Sequence, residues 1–69
     1  MSYLVIELQT TNDTTSHLAW SYSDLQQAES KYHSILSAAA TSSIPVHTAV
    51  ILNQEGMTMK SYCYRHELN

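Results

Sequence analysis

The chain has 69 residues and a formal net charge of -3 at pH 7, with 13% charged residues, about half the ~25% usual for soluble domains. Its three Lys and Arg cannot neutralise many phosphates, which argues against a dedicated nucleic-acid binder. Its one cysteine, Cys63, excludes an internal disulfide and reads as a small core residue in a reducing compartment.

A chain this short makes one domain, 1–69, and buries only about 60% of its unfolded surface, so a lone copy is marginal. No Asp, Glu, Lys or Arg occurs between Lys31 and Glu55. A weakly charged surface on a small domain predicts a homo-oligomer. The opening "MSYLVIELQTT" has neither the basic start nor the apolar run of a signal peptide. No stretch approaches the ~18 apolar residues of a membrane span. A cytoplasmic protein with no membrane partner is expected.

Residues 3–10, "YLVIELQT", read as a strand with Leu4, Ile6 and Leu8 on one face and Tyr3, Val5, Glu7 and Gln9 on the other. "TNDT" has turn chemistry. Residues 15–22 form a second strand with Leu18, Trp20 and Tyr22 on one face. A turn centred on Asp13 sets Leu8 opposite Leu18, Ile6 opposite Trp20 and Leu4 opposite Tyr22. All the large apolar side chains of this hairpin then share one face, which is predicted to lie under a helix.

"SDLQQ" starts that helix, with Ser23 as cap, Gln26 as its capping-box partner and Asp24 at the positive end. Leu25, Ala28, Tyr32, Ile35, Leu36 and Ala39 recur at three- and four-residue steps and mark the buried stripe. The helix is predicted to stop between Ala40 and Ser42, and Pro45 drives Ile44 into an extended conformation. "VHTAVIL" is the third strand, "NQEG" a turn with Gly56 at positive φ, and "MTMKSYCYRH" the fourth strand. Pairing across that turn sets Leu52 opposite Met57 and Val50 opposite Met59, with a bulge at Gly56 able to slip the register by one. His47, Ala49 and Ile51 fall on the same face as Lys60, Tyr62 and Tyr64.

These elements give an α+β fold, β-β-α-β-β: a mainly antiparallel four-stranded sheet in the order 2-1-3-4, with one helix on one face. The other face is left open. The alternation assigns to it Tyr3, Val5, Glu7, His17, Ala19, His47, Ala49, Ile51, Lys60, Tyr62 and Tyr64.

Chemistry-bearing patterns are few. His17, His33, His47 and His66 show no close ligand spacing, so no metal is expected. The helix serines lack a nucleophile elbow, and a single glycine excludes the phosphate-binding loops. No catalytic residue and no cofactor is assigned. Tyrosines with few charges are typical of an interface core. His47, Lys60, Tyr62, Tyr64, Tyr3 and Arg65 are therefore the candidates for a ligand or partner site. Small uncharged Ser30, Ser34, Ser37 and Ala38 on the helix exterior are candidates for an oligomer interface, together with Val5 and Ile51 of the open face.

The order "YLVIELQT", "AESKYHSILSAAATSSIPVHTAV", "EG" and "YRH" resembles a group of small uncharacterised proteins encoded by phages and prophages of gut-dwelling Gram-positive bacteria. The likeness spans nearly the whole chain and is strongest at "AESKYH", the alanine run and "SSIPVH". It brings no activity or site residues with it. It implies a viral accessory protein in a bacterial cytoplasm. The function expected on that basis is non-enzymatic: an oligomer that inhibits host antiviral defence. It would act by binding a defence protein, in the manner of an anti-CRISPR, or by sequestering a nucleotide immune signal. The alternative is a small structural component of the virion or of its assembly.

Overall fold

The structure, a computed structural model, describes residues 1–66. Strand β1 spans Tyr3–Thr11 and strand β2 Thr14–Tyr22. Between them only Asn12 and Asp13 make the turn, both with positive φ, 49° and 66°. Two left-handed residues in succession form the type I′ turn, whose twist suits a hairpin, and Asn and Asp tolerate that region best. The turn fixes Thr11 opposite Thr14, and so Glu7 opposite Leu18, Val5 opposite Trp20 and Tyr3 opposite Tyr22.

Helix α1 spans Leu25–Ala40. Its cap is Asp24 rather than Ser23: the Asp24 Oδ1 accepts from the Gln26 N–H at 2.9 Å, satisfying one of the orphan donors of the first turn. The helix ends where expected. The N–H groups of Thr41 and Ser42 donate to the carbonyls of Ala38 and Ala39 at 3.3 Å each. The His66 Nε2 donates to the Ala39 carbonyl at 2.7 Å, so a side chain from the far end of the chain helps cap the last turn.

Strand β3 spans Val46–Asn53 and strand β4 Thr58–Arg65. Their turn is built on Asn53, whose Oδ1 accepts from the N–H groups of Glu55 and Met57. Gly56, at φ 82°, supplies the left-handed residue that follows. The ladder shifts again between Ile51 and Leu52: Leu52 pairs with Thr58 and Ile51 with Lys60, which leaves Met59 as an extra residue in β4. The main β3–β4 register therefore sits two residues from the sequence expectation. An even shift preserves the faces, so His47, Ala49 and Ile51 still lie beside Tyr64, Tyr62 and Lys60.

The sheet order is β2-β1-β3-β4 with every neighbouring pair antiparallel, as the sequence predicts. The face under the helix is not the predicted one. The core consists of Val5, Ala49 and Ile51 from the sheet and Ala28, Tyr32 and Ile35 from the helix, with Tyr3, Trp20, Tyr22 and Leu36 packed around it. Val5 and Ile51 are fully buried, so neither can belong to an oligomer interface, contrary to the sequence assignment. Centring the first turn on two residues instead of three slips β1 against β2 by one. That slip carries Leu4, Ile6 and Leu8 away from the partners expected for them.

Candidate functional site

One helix is about 10 Å across and covers about two strands spaced 4.8 Å apart. On the covered face the helix lies over β1 and β3, where Ala28, Ala39 and Ala49, all fully buried, allow close approach. The outer strands β2 and β4 are left as flanks. One cross-strand row shows this: Leu18, Glu7, Ala49 and Tyr62 lie in line. Leu18 and Tyr62 at its ends are 54% and 53% exposed.

Two charged contacts hold the helix over the sheet. On the β2 side, the Lys31 ammonium sits 3.9 Å from the centre of the Trp20 ring, a cation–π contact. On the β4 side, Lys60 Nζ donates to Glu29 Oε2 at 2.8 Å. Lys60 holds the Glu29 carboxyl below its usual range, and Glu29 in turn raises the Lys60 ammonium. Lys60, assigned from sequence to a ligand, therefore has a protein partner.

His47 was expected on an open face. It is 3% exposed, beneath the end of the helix, because the covered face is the one it shares with Val5 and Ile51. Its Nε2 meets Glu7 Oε2 at 2.5 Å, and its Nδ1 meets the Ser42 hydroxyl at 3.1 Å. An ionised carboxylate only accepts, so Nε2–H is the donor; in the neutral ring Nδ1 then accepts from Ser42. Gln9 Nε2 donates to the same Glu7 oxygen at 3.1 Å. Serine, histidine and carboxylate are thus connected in the order of a nucleophilic relay. The surroundings differ from those of a hydrolytic site. The N–H groups of Thr41 and Ser42 are engaged by the helix carbonyls, and a helix C-terminus is the negative pole of its dipole. Among the described residues, these groups disfavour a developing oxyanion there. The chain of contacts satisfies the buried polar groups of Glu7 and His47.

The exposed aromatic feature is on β4. Tyr62 meets Tyr64 edge to face with ring centres 4.9 Å apart, and Tyr64 stacks on His66 at 6.0 Å with the planes 1° from parallel. Lys60, Tyr62 and Tyr64 alternate along this edge strand on one side of the helix, and His66 follows just past its end. Of the sequence candidates, this strip brings together Lys60, Tyr62 and Tyr64. Tyr3 lies apart on β1, packed against the core, with its hydroxyl donating to Met1 Sδ at 3.3 Å. Arg65 pairs with Val46 across the ladder and so belongs to the opposite face. Ser30, Ser34, Ser37 and Ala38 are exposed on the helix exterior, as expected. Ser30 and Ser34 border an open groove of about 440 Å³ with Tyr22, Gln27 and Lys31.

The sequence pattern does not reveal that Glu7 and Ser42 bind His47, or that His66 caps the end of the helix. Glu7 carried a signal: it is the one charged residue inside a β1 run that is apolar on both sides. Cys63 is exposed and free, not a core residue, because it pairs with Thr48 on the uncovered face. Among the described residues no group of three or more His, Cys, Asp or Glu could hold a metal. No helix among them is long and apolar enough to cross a membrane. Comparison with protein-family models, with curated proteins and with solved structures finds no match.

Proposed function

We propose that this chain is a non-enzymatic phage accessory binding protein that acts in the bacterial host cytoplasm and inhibits antiviral defence by occupying a host defence protein. The observation that carries a binding role is the Tyr62–Tyr64–His66 strip, with Tyr62 53% exposed on an edge strand. An exposed tyrosine packed on a half-buried one, as Tyr62 is on Tyr64, forms a rigid, amphipathic surface that binds at little entropic cost. An edge strand also offers backbone N–H and C=O groups to an incoming chain. The phage setting rests on the resemblance carried by "AESKYH" and "SSIPVH".

A protein target is favoured over a nucleotide signal. Lys60, the cation of the strip, already faces Glu29 at 2.8 Å, and Arg65 is on the other face of the sheet. An anionic ligand would find little positive charge to meet it. The test is phage plating on cells carrying a panel of defence systems, with and without this protein. The expected result is restored plating in at least one system, lost in Tyr62→Ala/Tyr64→Ala while the fold persists by circular dichroism. Full protection by the double variant would remove the strip from the contact. Stoichiometric recovery of the protein in purified virions would favour a structural component instead.

A further inference from the structure

The face of the sheet turned away from the helix carries Leu4, Ile6 and Leu8 on β1 and Val46, Val50 and Leu52 on β3. These are the two central strands, and all six side chains are only half-buried. An antiparallel sheet with one wet face normally alternates apolar and polar residues. Here the uncovered face of β1 and β3 is itself largely apolar, with Thr10 and Thr48 its polar members, the pattern of a face that a further layer covers. The described residues supply one cover, the helix; the smallest extent of the chain is 15 Å, the thickness of two layers.

We infer that a second copy of this chain covers that face, the two sheets stacking about 10 Å apart. Charge points to self-association. Among the described strand residues of this face, Arg65 at its far end is the one permanent charge. Glu7 lies on the covered face, Asp24 and Glu29 on or beside the helix, and Asp13 and Glu55 in turns. A copy therefore meets no unmatched carboxylate when it stacks on itself, and a two-fold stack with the strands of the two copies running in opposite directions keeps the two Arg65 side chains at opposite ends. Most residues that the flanking strands present there are small, Ala19, Ser21, Ser61 and Cys63, with the exposed His17 beside Leu8, so the apolar centres of two sheets can approach closely. Area is also sufficient. Strands of eight or nine residues make a face about 30 Å by 19 Å, and two such faces bury about 1,100 Å² in projection, near the ~1,200 Å² lower bound of specific interfaces. Corrugated side chains add to the projected value. This site is separate from the aromatic strip of the target-binding proposal, which lies on the other face.

Sedimentation equilibrium from sub-micromolar to high micromolar protein, with alkylation of Cys63 followed in parallel, tests the inference. The expected mass is twice 7.8 kDa, with Cys63 modification slowing as protein concentration rises. Ile6→Lys is expected to halve the mass and remove the concentration dependence at Cys63. Ala19→Lys, at an exposed position of the same face, does the same should Ile6→Lys fail to fold. Ser34→Lys, on the helix exterior, is expected to leave the dimer intact. A wild-type monomer at every concentration overturns the inference. So does a dimer that survives both face substitutions or is lost in Ser34→Lys. Tyr62→Ala is expected to keep the dimer while losing defence inhibition, so the two proposals fail separately.

Discussion

The two faces of this sheet invert a familiar rule. The covered face is the mixed one: Val5, Ala49 and Ile51 sit beside Glu7, His47 and Gln9, and the helix above them contributes two alanines. The uncovered face is the plainer hydrocarbon, with Leu4, Ile6, Leu8, Val50 and Leu52 in the middle. Hydrophobicity alone does not decide which face a helix takes. Shape does: small side chains let the helix seat closely, while the branched side chains of the other face make a flatter surface suited to another sheet. Polar groups can be tolerated beneath the helix because Glu7 and His47 satisfy each other.

Neighbouring residues on opposite faces give the sharpest way to break this comparison. Ile51→Ala is expected to destabilise by about 2–5 kcal/mol, independently of protein concentration, because it empties a site beneath the helix. Val50→Ala, one residue away, should lower the melting temperature mainly at high concentration. Equal, concentration-independent losses in thermal melts of the two variants would show that both faces are internal to one copy. Next in size is His47→Ala, expected to cost about 3 kcal/mol by urea denaturation, because Glu7 is left with a buried charge and only Gln9 beside it. Trp20→Ala should follow at about 2 kcal/mol, less than for a fully buried ring, since Trp20 is only half-buried. Asp24→Ala should lose about 1 kcal/mol through the helix cap.

The smallest effect is expected at the Lys60–Glu29 pair, which is exposed and screened by salt. Its pH dependence has a definite sign. The Glu29 carboxyl is held below its ordinary range, so its contribution is present at neutral pH and disappears as pH falls through the lowered value. The Lys60 ammonium is raised, so its contribution is lost only as pH climbs through that higher value. The stability difference between wild type and Lys60→Gln should therefore be flat around neutrality and close under acid conditions. A difference that persists in strong acid, measured by urea melts across pH, would mean that Lys60 acts through packing of its stem instead.

Much of the fold was legible in the sequence. The helix stripe of Ala28, Tyr32, Ile35 and Ala39 follows from three- and four-residue spacing, and all four are buried. The strand order follows from the two most apolar strands seeking the centre. Side-chain facing was less legible, for a physical reason. In "YLVIELQT" both alternating sets carry large apolar residues, Tyr3 and Val5 on one face and Leu4, Ile6 and Leu8 on the other; the Leu–Ile–Leu set is the more apolar, yet it is the other that lies under the helix, and a turn read one residue too long supports the wrong choice. On β4 the two irregularities at Gly56 and Met59 moved the main register by two residues and left the facing intact. The strip of Lys60, Tyr62 and Tyr64 was visible as a set. The burial of His47 was not, because it depends on which face the helix takes.

The Glu7–His47 contact joins residues 40 apart in the chain, and its place in the topology has a kinetic consequence. Each hairpin, β1–β2 and β3–β4, closes over a short turn, and such units form within microseconds. The halves meet along the β1–β3 ladder and through the helix, so that seam requires the largest loop closure and should set the folding rate. A contact needing both hairpins and the seated helix end is expected to form after that step. Replacing His47 should then accelerate unfolding while leaving the refolding arm of a chevron plot nearly unmoved. The buried pair would in that case govern how long a folded molecule lasts, rather than how quickly it arises.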